Sequence, residues 1–152
     1  MLNHYLDFIK NEKNENLDEV IADSLIQEIT NNYQNISILR NDSKQILIRK
    51  NQVKRALINI LDNANKFAEN IYLSSTIQNT NWLISVEDDG PGTNLTEEQL
   101  VRPFVKGSEQ LNQGTGLGLS IVQKLIKLNN GELKFGKSSY GGLKVIISFE
   151  TQ

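Results

Sequence analysis

Three stretches of this chain combine residue types that could hold a phosphate-bearing ligand. In Gln113-Gly114-Thr115-Gly116-Leu117-Gly118-Leu119-Ser120, alternating glycines run straight into an apolar-periodic segment. Glycines let backbone amides approach an anion, and a helix amino-terminus adds partial positive charge. A flexible turn before a helix would use the same residues. A Rossmann fingerprint needs a strand before the glycines, but a polar loop precedes them, and the Gly-Lys-Ser/Thr of a P-loop is missing. The second stretch, Glu87-Asp88-Asp89-Gly90-Pro91-Gly92, ends an apolar run. A carboxylate there can accept a hydrogen bond from the exocyclic amine of adenine, whereas guanine presents an acceptor at that place. An ordinary Asp-Gly-Pro turn fits as well. In the third, Asn59, Asn63 and Lys66 follow i, i+4, i+7 spacing and share one helix face. An Asn oxygen is a hard ligand suited to Mg²⁺, a Lys can neutralise phosphate, and the adjacent Phe67 can pack on a base. The chain has 19 asparagines, so solvated polar residues would explain this stripe equally well.

The elements that must position these residues follow from periodicity. Leu2, Leu6 and Ile9 are spaced like one face of a short helix, and the polar run 11–16 reads as a linker. Leu17 to Asn32 carries helical spacing throughout. Residues 35–39 and 45–49 alternate across a turn at Asn41-Asp42 and read as two strands. Residues 52–68 form the best helix, with Val53, Ala56, Leu57, Ile60, Leu61, Ala64 and Ala68 as its core stripe. The polar stripe lies at the border of that apolar face. Residues 71–76 and 82–86 read as a second strand pair. Residues 90–115 read as a long loop, and such loops are usually lids or disordered. A helix over 117–128 is terminated at Gly131, and strands over 132–135 and 143–149 close the chain. The sum is an α+β fold, a two-layer sandwich with about three helices on one face of a mixed, mainly antiparallel sheet.

Composition narrows the class. The 152 residues suit one domain, and 38% hydrophobic residues can build one core. A net charge of -2 gives no electrostatic reason to expect nucleic acid. The lack of cysteine removes disulfides and thiolate metal sites. No apolar run approaches the roughly 20 residues of a membrane span, and residues 1–10 are too polar for a signal peptide.

The order of the motifs adds more than any one of them. Leu57-Ile58-Asn59-Ile60-Leu61-Asp62-Asn63-Ala64-Asn65-Lys66-Phe67 resembles the asparagine box of sensor histidine kinases. Asp88 to Gly92 resembles their first glycine box, Arg102-Pro103-Phe104-Val105-Lys106-Gly107 their phenylalanine box, and Gly114 to Leu119 their second glycine box. Gly141-Gly142 stands where a final glycine pair precedes the last strand. The likeness is strongest to the osmosensing EnvZ-type kinases and covers essentially the whole chain, most strongly residues 53–150. It implies the Bergerat ATP-binding fold, with ATP and Mg²⁺ bound. By the same likeness Asn63 is the Mg²⁺ ligand, and Asn59 and Lys66 are contacts on the phosphate side. Phe67 lies beside adenine, Asp88 reads it, and Gly90 and Gly92 shape that turn. Phe104, Lys106 and Gly107 belong to a lid that reaches the phosphates, and Gly114, Thr115, Gly116, Leu117, Gly118 and Leu119 form the phosphate loop. Asn59, Lys66 and Lys106 are thus the candidate catalytic residues. Residues 93–113 are expected to form a mobile lid. Two positions depart from the family pattern: Leu100 stands near where an earlier Phe is usual, and Thr93 where an aliphatic residue is usual.

The resemblance also implies what to expect around the chain. Residues 1–16 resemble the tail of a dimerisation helix and a linker, and 17–152 the catalytic domain. The phosphoacceptor histidine would sit on a separate dimerisation domain, because the sole histidine, His4, is followed by Tyr5 rather than an acid. The expected partners are that domain and a response regulator. The parent would be a homodimer anchored in the inner membrane, with this part monomeric and cytoplasmic. ATPases of the same fold resemble one another in a glutamate four residues before the Mg²⁺-binding asparagine. Here Asn59 holds that place and cannot take a proton, which favours a kinase. An anti-sigma-type serine kinase and a catalytically silent nucleotide-binding module remain the alternatives.

Overall fold

A computed structural model describes residues 15–102 and 118–151. The expected helices and strands of residues 50–88 appear with little change. Helix α2 is the 18-residue span Lys50–Phe67, and β4 (Ile71–Gln78) and β5 (Asn81–Asp88) form an antiparallel hairpin. The two-residue connection uses Asn79 at φ 58, the left-handed conformation such short hairpins favour. Along both strands the buried residues alternate, so one face meets the helices. Trp82 is fully buried there, and its indole N–H donates to Ser75 Oγ at 2.8 Å.

Two expectations upstream of α2 are corrected. The span 17–32 is not one helix: Asp18–Ile21 forms strand β1, and only Ala22–Thr30 forms helix α1. Val20 and Ile21 kept helical spacing, but β1 pairs antiparallel with β3 (Gln45–Ile48), and that pairing decides their conformation. Nor do the two alternating runs on either side of Asn41-Asp42 pair with each other. The first is β2 (Ile36–Asn41), which runs parallel to β4, while β3 joins β1 in a separate two-stranded ribbon. Asp42 explains the parting. Its N–H donates to Ser75 O at 2.9 Å and its Oδ2 accepts from Ile77 N at 2.8 Å, so the chain is pinned to β4 as it leaves the sheet.

The main sheet has five strands in the order β2-β4-β5-β7-β6, with β6 at Glu132–Lys137 and β7 at Leu143–Glu150. Only β2–β4 is parallel, so the sheet is mixed as expected. Helix α3 (Glu97–Leu100) is one short turn, and helix α4 (Gly118–Leu128) packs against α2. Gln52 is fully buried at that contact, and its Oε1 accepts from Asn129 Nδ2 at 2.8 Å. Helix α4 does end where Gly131 stands, yet for another reason than expected. Asn130 takes the left-handed conformation at φ 56, and the Gly131 N–H closes the turn on Ile126 O at 2.9 Å. Gly131 is needed for space: a Cβ there would lie 2.5 Å from Ser148 O.

Helix α2 owes its place mainly to burial. Val53, Leu57, Ile60 and Leu61 are all at most 2% exposed. Each contributes about 1.5–3 kcal/mol relative to exposure, well above any propensity term. Its amino-terminus has no acidic residue in the first turn and no capping side chain of its own. Glu15 supplies both, accepting from Asn51 N at 2.8 Å and Gln52 N at 3.0 Å, while Arg49 Nε donates to Glu15 O at 3.0 Å.

Candidate nucleotide site

The rim of α2 meets the end of β5 at a small cavity lined by Asn63, Phe67, Asp88, Pro91, Gly92, Thr93 and Leu143. Its volume is about 20 Å³, room for about one water. Beyond the 91–93 loop and Leu143 lies a groove of about 770 Å³, lined also by Leu95, Leu100, Phe135 and Lys137. Asn63, Phe67, Asp88 and Gly92, far apart in sequence, thus share one wall.

Asp88 is 8% exposed and sits on the helix-facing side of β5. Its Oδ1 accepts from Gly90 N at 2.9 Å and from Leu143 N at 3.2 Å. Among the described residues both bonds fall on Oδ1 and none reaches Oδ2. Burial pushes the Asp88 carboxyl above the usual aspartate range, and the charge of Asp89 adds to it, against the pull of the two N–H donors. A buried carboxylate of this kind gains from a hydrogen-bond donor brought by a ligand.

Asp89 does the opposite work one residue on. Its Oδ1 accepts from Glu69 N and Asn70 N, each at 2.9 Å, and its Oδ2 accepts from Asn70 Nδ2 at 2.9 Å. Those bonds to Asn70, then to Glu69, hold its carboxyl below the usual range. Asp89 therefore ties the end of β5 to the segment leaving α2. On the far side of α2, Tyr33 donates to Asp62 Oδ1 at 2.6 Å, and Asn35 Nδ2 donates to Asn65 Oδ1 at 2.7 Å. The helix that carries Asn63 is thus fastened at its back and at its carboxyl end.

The third wall is the turn 138–142 between β6 and β7. Gly142 N donates to Asp88 O at 3.0 Å, and Ser138 N donates to Gly142 O at 2.9 Å. A Cβ on Gly142 would run into Asp88 Oδ1, with Asp88 O at 2.6 Å and Gly90 N at 2.8 Å. Only glycine lets the turn close on that carboxylate.

The other candidate residues fall in several places. Gly90 donates to Asp88, and Gly92 lines the cavity at φ 73. Asn59 is half-buried and Lys66 exposed on α2, and neither lines the cavity with Asn63. Gly118 and Leu119 open α4, Gly118 exposed and Leu119 buried at 7%. Phe104, Lys106, Gly107, Gly114, Thr115, Gly116 and Leu117 lie outside the described residues, as do His4 and residues 1–14. Of the span read as a lid, 93–102 is described. It holds α3, opened by a capping box between Thr96 and Gln99, and Leu100 is buried at 8%. The substituted Leu100 is therefore an apolar anchor. Sequence reasoning missed Leu143 as a lining residue and Asp89 as a clasp. The glycine pair before Leu143 was a signal for the first; nothing in the composition separated Asp89 from Asp88.

The profile of the histidine kinase-, DNA gyrase B- and HSP90-like ATPase family matches residues 48–152. The chain belongs to that family. Within it the similarity runs to sensor histidine kinases. The chain is 36% identical over 102 residues to the sensor histidine kinase CpxA of Escherichia coli K12, covering 64% of this chain and 22% of that protein. The catalytic domain of the histidine kinase ThkA superposes with a TM-score of 0.74 at 27% identity, over 88% of this chain and 95% of that one. The histidine kinase domain of the E. coli osmosensor EnvZ does so with a TM-score of 0.63 at 29% identity, over 91% and 89%. The chain is an ATP-binding catalytic domain of the sensor histidine kinase type, with the α+β fold expected of it. It spans about a quarter of the length of the curated relatives it matches. No helix among the described residues is long and apolar enough to cross a membrane.

Proposed function

We propose that this chain binds Mg²⁺-ATP and passes the γ-phosphoryl group to a histidine on a separate dimerisation domain. The observation that carries the reading is the meeting of Asn63, Phe67, Asp88 and Gly92 at one cavity, in a chain of this ATPase family. Asp88 Oδ2 accepts from the adenine amine and Phe67 packs beside the base. Supporting that role, the bonds to the buried Asp88 carboxylate among the described residues both fall on Oδ1. The cavity beside it is about 20 Å³, so its lining must move apart to admit a base. Asn63 offers an amide oxygen to Mg²⁺. Among the described residues no group of three or more acidic, His or Cys side chains could hold a metal. Mg²⁺ usually keeps waters and phosphate oxygens among its ligands. When bound, the ion supplies neutralising charge at the phosphates.

Transfer forms a bond from an imidazole nitrogen to the γ-phosphorus and breaks the bond to the β–γ bridging oxygen, releasing ADP. The imidazole is already a nucleophile, so positioning is what the domain contributes. Asn59 cannot act as a base, so water is a poor substitute acceptor. Lys66 and Lys106 would neutralise phosphate charge, with the loop 114–119 around the phosphates. The partners are the phosphoacceptor domain and a response regulator that receives the group next. The domain would work in the cytoplasm, as part of a parent anchored in the inner membrane.

The test is calorimetry with ATP, with and without Mg²⁺, followed by transfer of labelled γ-phosphate to a dimerisation domain supplied in trans. The expected result is Mg²⁺-dependent binding and label on that domain's histidine alone. No adenine-nucleotide binding at millimolar concentration would overturn the reading. Binding without label on either polypeptide would favour the silent nucleotide-binding module.

A further inference from the structure

We infer that Tyr72 and Tyr140 are positioning residues for adenine recognition, acting through the 138–142 turn from the opposite face of the sheet. The inference rests on the proposed role of Asp88. The two rings stack with centroids 3.6 Å apart and an interplanar angle of 10°. Tyr72 alternates with the buried Ile71 and Leu73, so it points away from the helices. Glu87, directly opposite Tyr72 in the β4–β5 register, shares that outer face. Its Oε1 accepts from Ser139 N at 2.9 Å.

The turn therefore wraps the end of the sheet. On the outer face it is held by the Tyr140 ring and by Glu87 through Ser139. On the helix face, three residues later, Gly142 and Leu143 bind the backbone and carboxylate of Asp88. Within the turn, Ser138 ties the two sides, because its Oγ accepts from Tyr140 N at 3.0 Å and its backbone oxygen from Gly141 N at 3.2 Å. The ends of the turn, Ser138 and Gly142, are buried and joined by Ser138 N–H to Gly142 O, but its tip, Ser139 to Gly141, is exposed, and Gly141 has no neighbour within 4 Å of a would-be Cβ. Tyr140 is itself 40% exposed, an aromatic that a solvated turn retains here by stacking. Loosening the stack lets the turn drift, and the Asp88 oxygen that Leu143 N–H holds drifts with it. Adenine selectivity then falls although no ligand contact has been removed.

Nucleotide titrations on the whole chain test this, with ATP and GTP compared for wild type, Tyr140→Ala and Tyr140→Phe. An aromatic pair is worth roughly 0.5–1.5 kcal/mol beyond its buried area, so Tyr140→Ala should weaken ATP by up to about tenfold. GTP binding should change less, narrowing the ATP-to-GTP ratio, and Tyr140→Phe should restore it. Hydrogen exchange on the ligand-free protein gives a second reading: the Leu143 amide should lose protection in Tyr140→Ala and keep it in Tyr140→Phe. Glu87→Ala, which removes the other outer-face tie, should shift both readouts the same way and serves if Tyr140→Ala fails to fold. Wild type selective for ATP with all variants unchanged would overturn this inference alone. Equal losses for ATP and GTP without rescue by Phe would also overturn it. Wild type that does not distinguish ATP from GTP would overturn it together with the role of Asp88.

Discussion

Asp88 and Asp89 are neighbours of one type, and the protein uses them in opposite ways. Asp89 is saturated by the backbone of Glu69 and Asn70 and by the Asn70 side chain. Asp88 is buried and, among the described residues, holds two N–H donors, both on the same oxygen. Asp89 stabilises the fold as a charged group, while Asp88 carries its charge at a cost. A buried carboxylate with one oxygen engaged gains from a donor brought by a ligand, and that is the role proposed for Asp88. The contrast also separates two mechanical units. One is the clasp at the end of α2, and the other is the turn that closes on the carboxylate.

Substitutions should split these units, and the largest effect is expected at Gly142. Gly142→Ala places a Cβ against Asp88 Oδ1, so the turn and the carboxylate cannot both stay. ATP binding measured by calorimetry should fall by on the order of a hundredfold, near the top of the range for a lost hydrogen bond to a charged group. Unchanged affinity would mean that the turn does not shape the site.

Next comes Asp88→Asn, which keeps the shape and removes the charge. ATP affinity should fall about tenfold or more, while the melting temperature holds or rises. Asp89→Asn should show the reverse: a lower melting temperature, with ATP affinity changed much less than in Asp88→Asn. If both variants lost binding and stability together, the division into two units would be wrong.

Acid titration sharpens the same contrast with a smaller effect. The Asp89 carboxyl is depressed, so its stabilisation is present above the unfolded value of about 3.9 and is lost as pH falls through the folded one. Asp88 is raised, so its contribution is full below about 3.9 and is lost as pH rises through its folded value. Urea unfolding between neutral and strongly acid pH should therefore show Asp89→Asn flattening the acid-side loss of stability. Asp88→Asn should remove the opposing term and steepen the loss. The smallest change is expected for Tyr33→Phe, which removes a partly exposed bond to Asp62. It should cost about 0.5 kcal/mol and leave ATP selectivity unaltered. A large loss would show that the back of α2 is more than a support.

Particular elements show where the sequence was legible. Helix α2 and the β4–β5 hairpin were readable because their apolar periods are long and nothing competes with them. The strand β1 was not, because four residues of helical spacing fit either structure and a partner strand 24 to 30 residues on decided it. Pairing of β2 with β4 was hidden for the same reason: alternation identifies a strand and says nothing of its neighbour. At the site, the asparagine and glycine boxes pointed to Asn63, Phe67, Asp88 and Gly92 by resemblance, and these four meet at one cavity. The unlike work of Asp88 and Asp89 was not readable, since it depends on which face of β5 each side chain leaves and on a turn 50 residues away.

The Glu15 cap has a consequence for the order in which the molecule assembles. The carboxylate and the amides it satisfies are 36 and 37 residues apart, so α2 cannot be capped until the β1–β3 ribbon has closed the intervening chain. Its first turn should therefore form late, after a nucleus built from the Leu57–Leu61 stripe and the β4–β5 hairpin. Glu15→Gln should leave the folding rate nearly unchanged and speed unfolding, as expected of a contact made after the rate-limiting step.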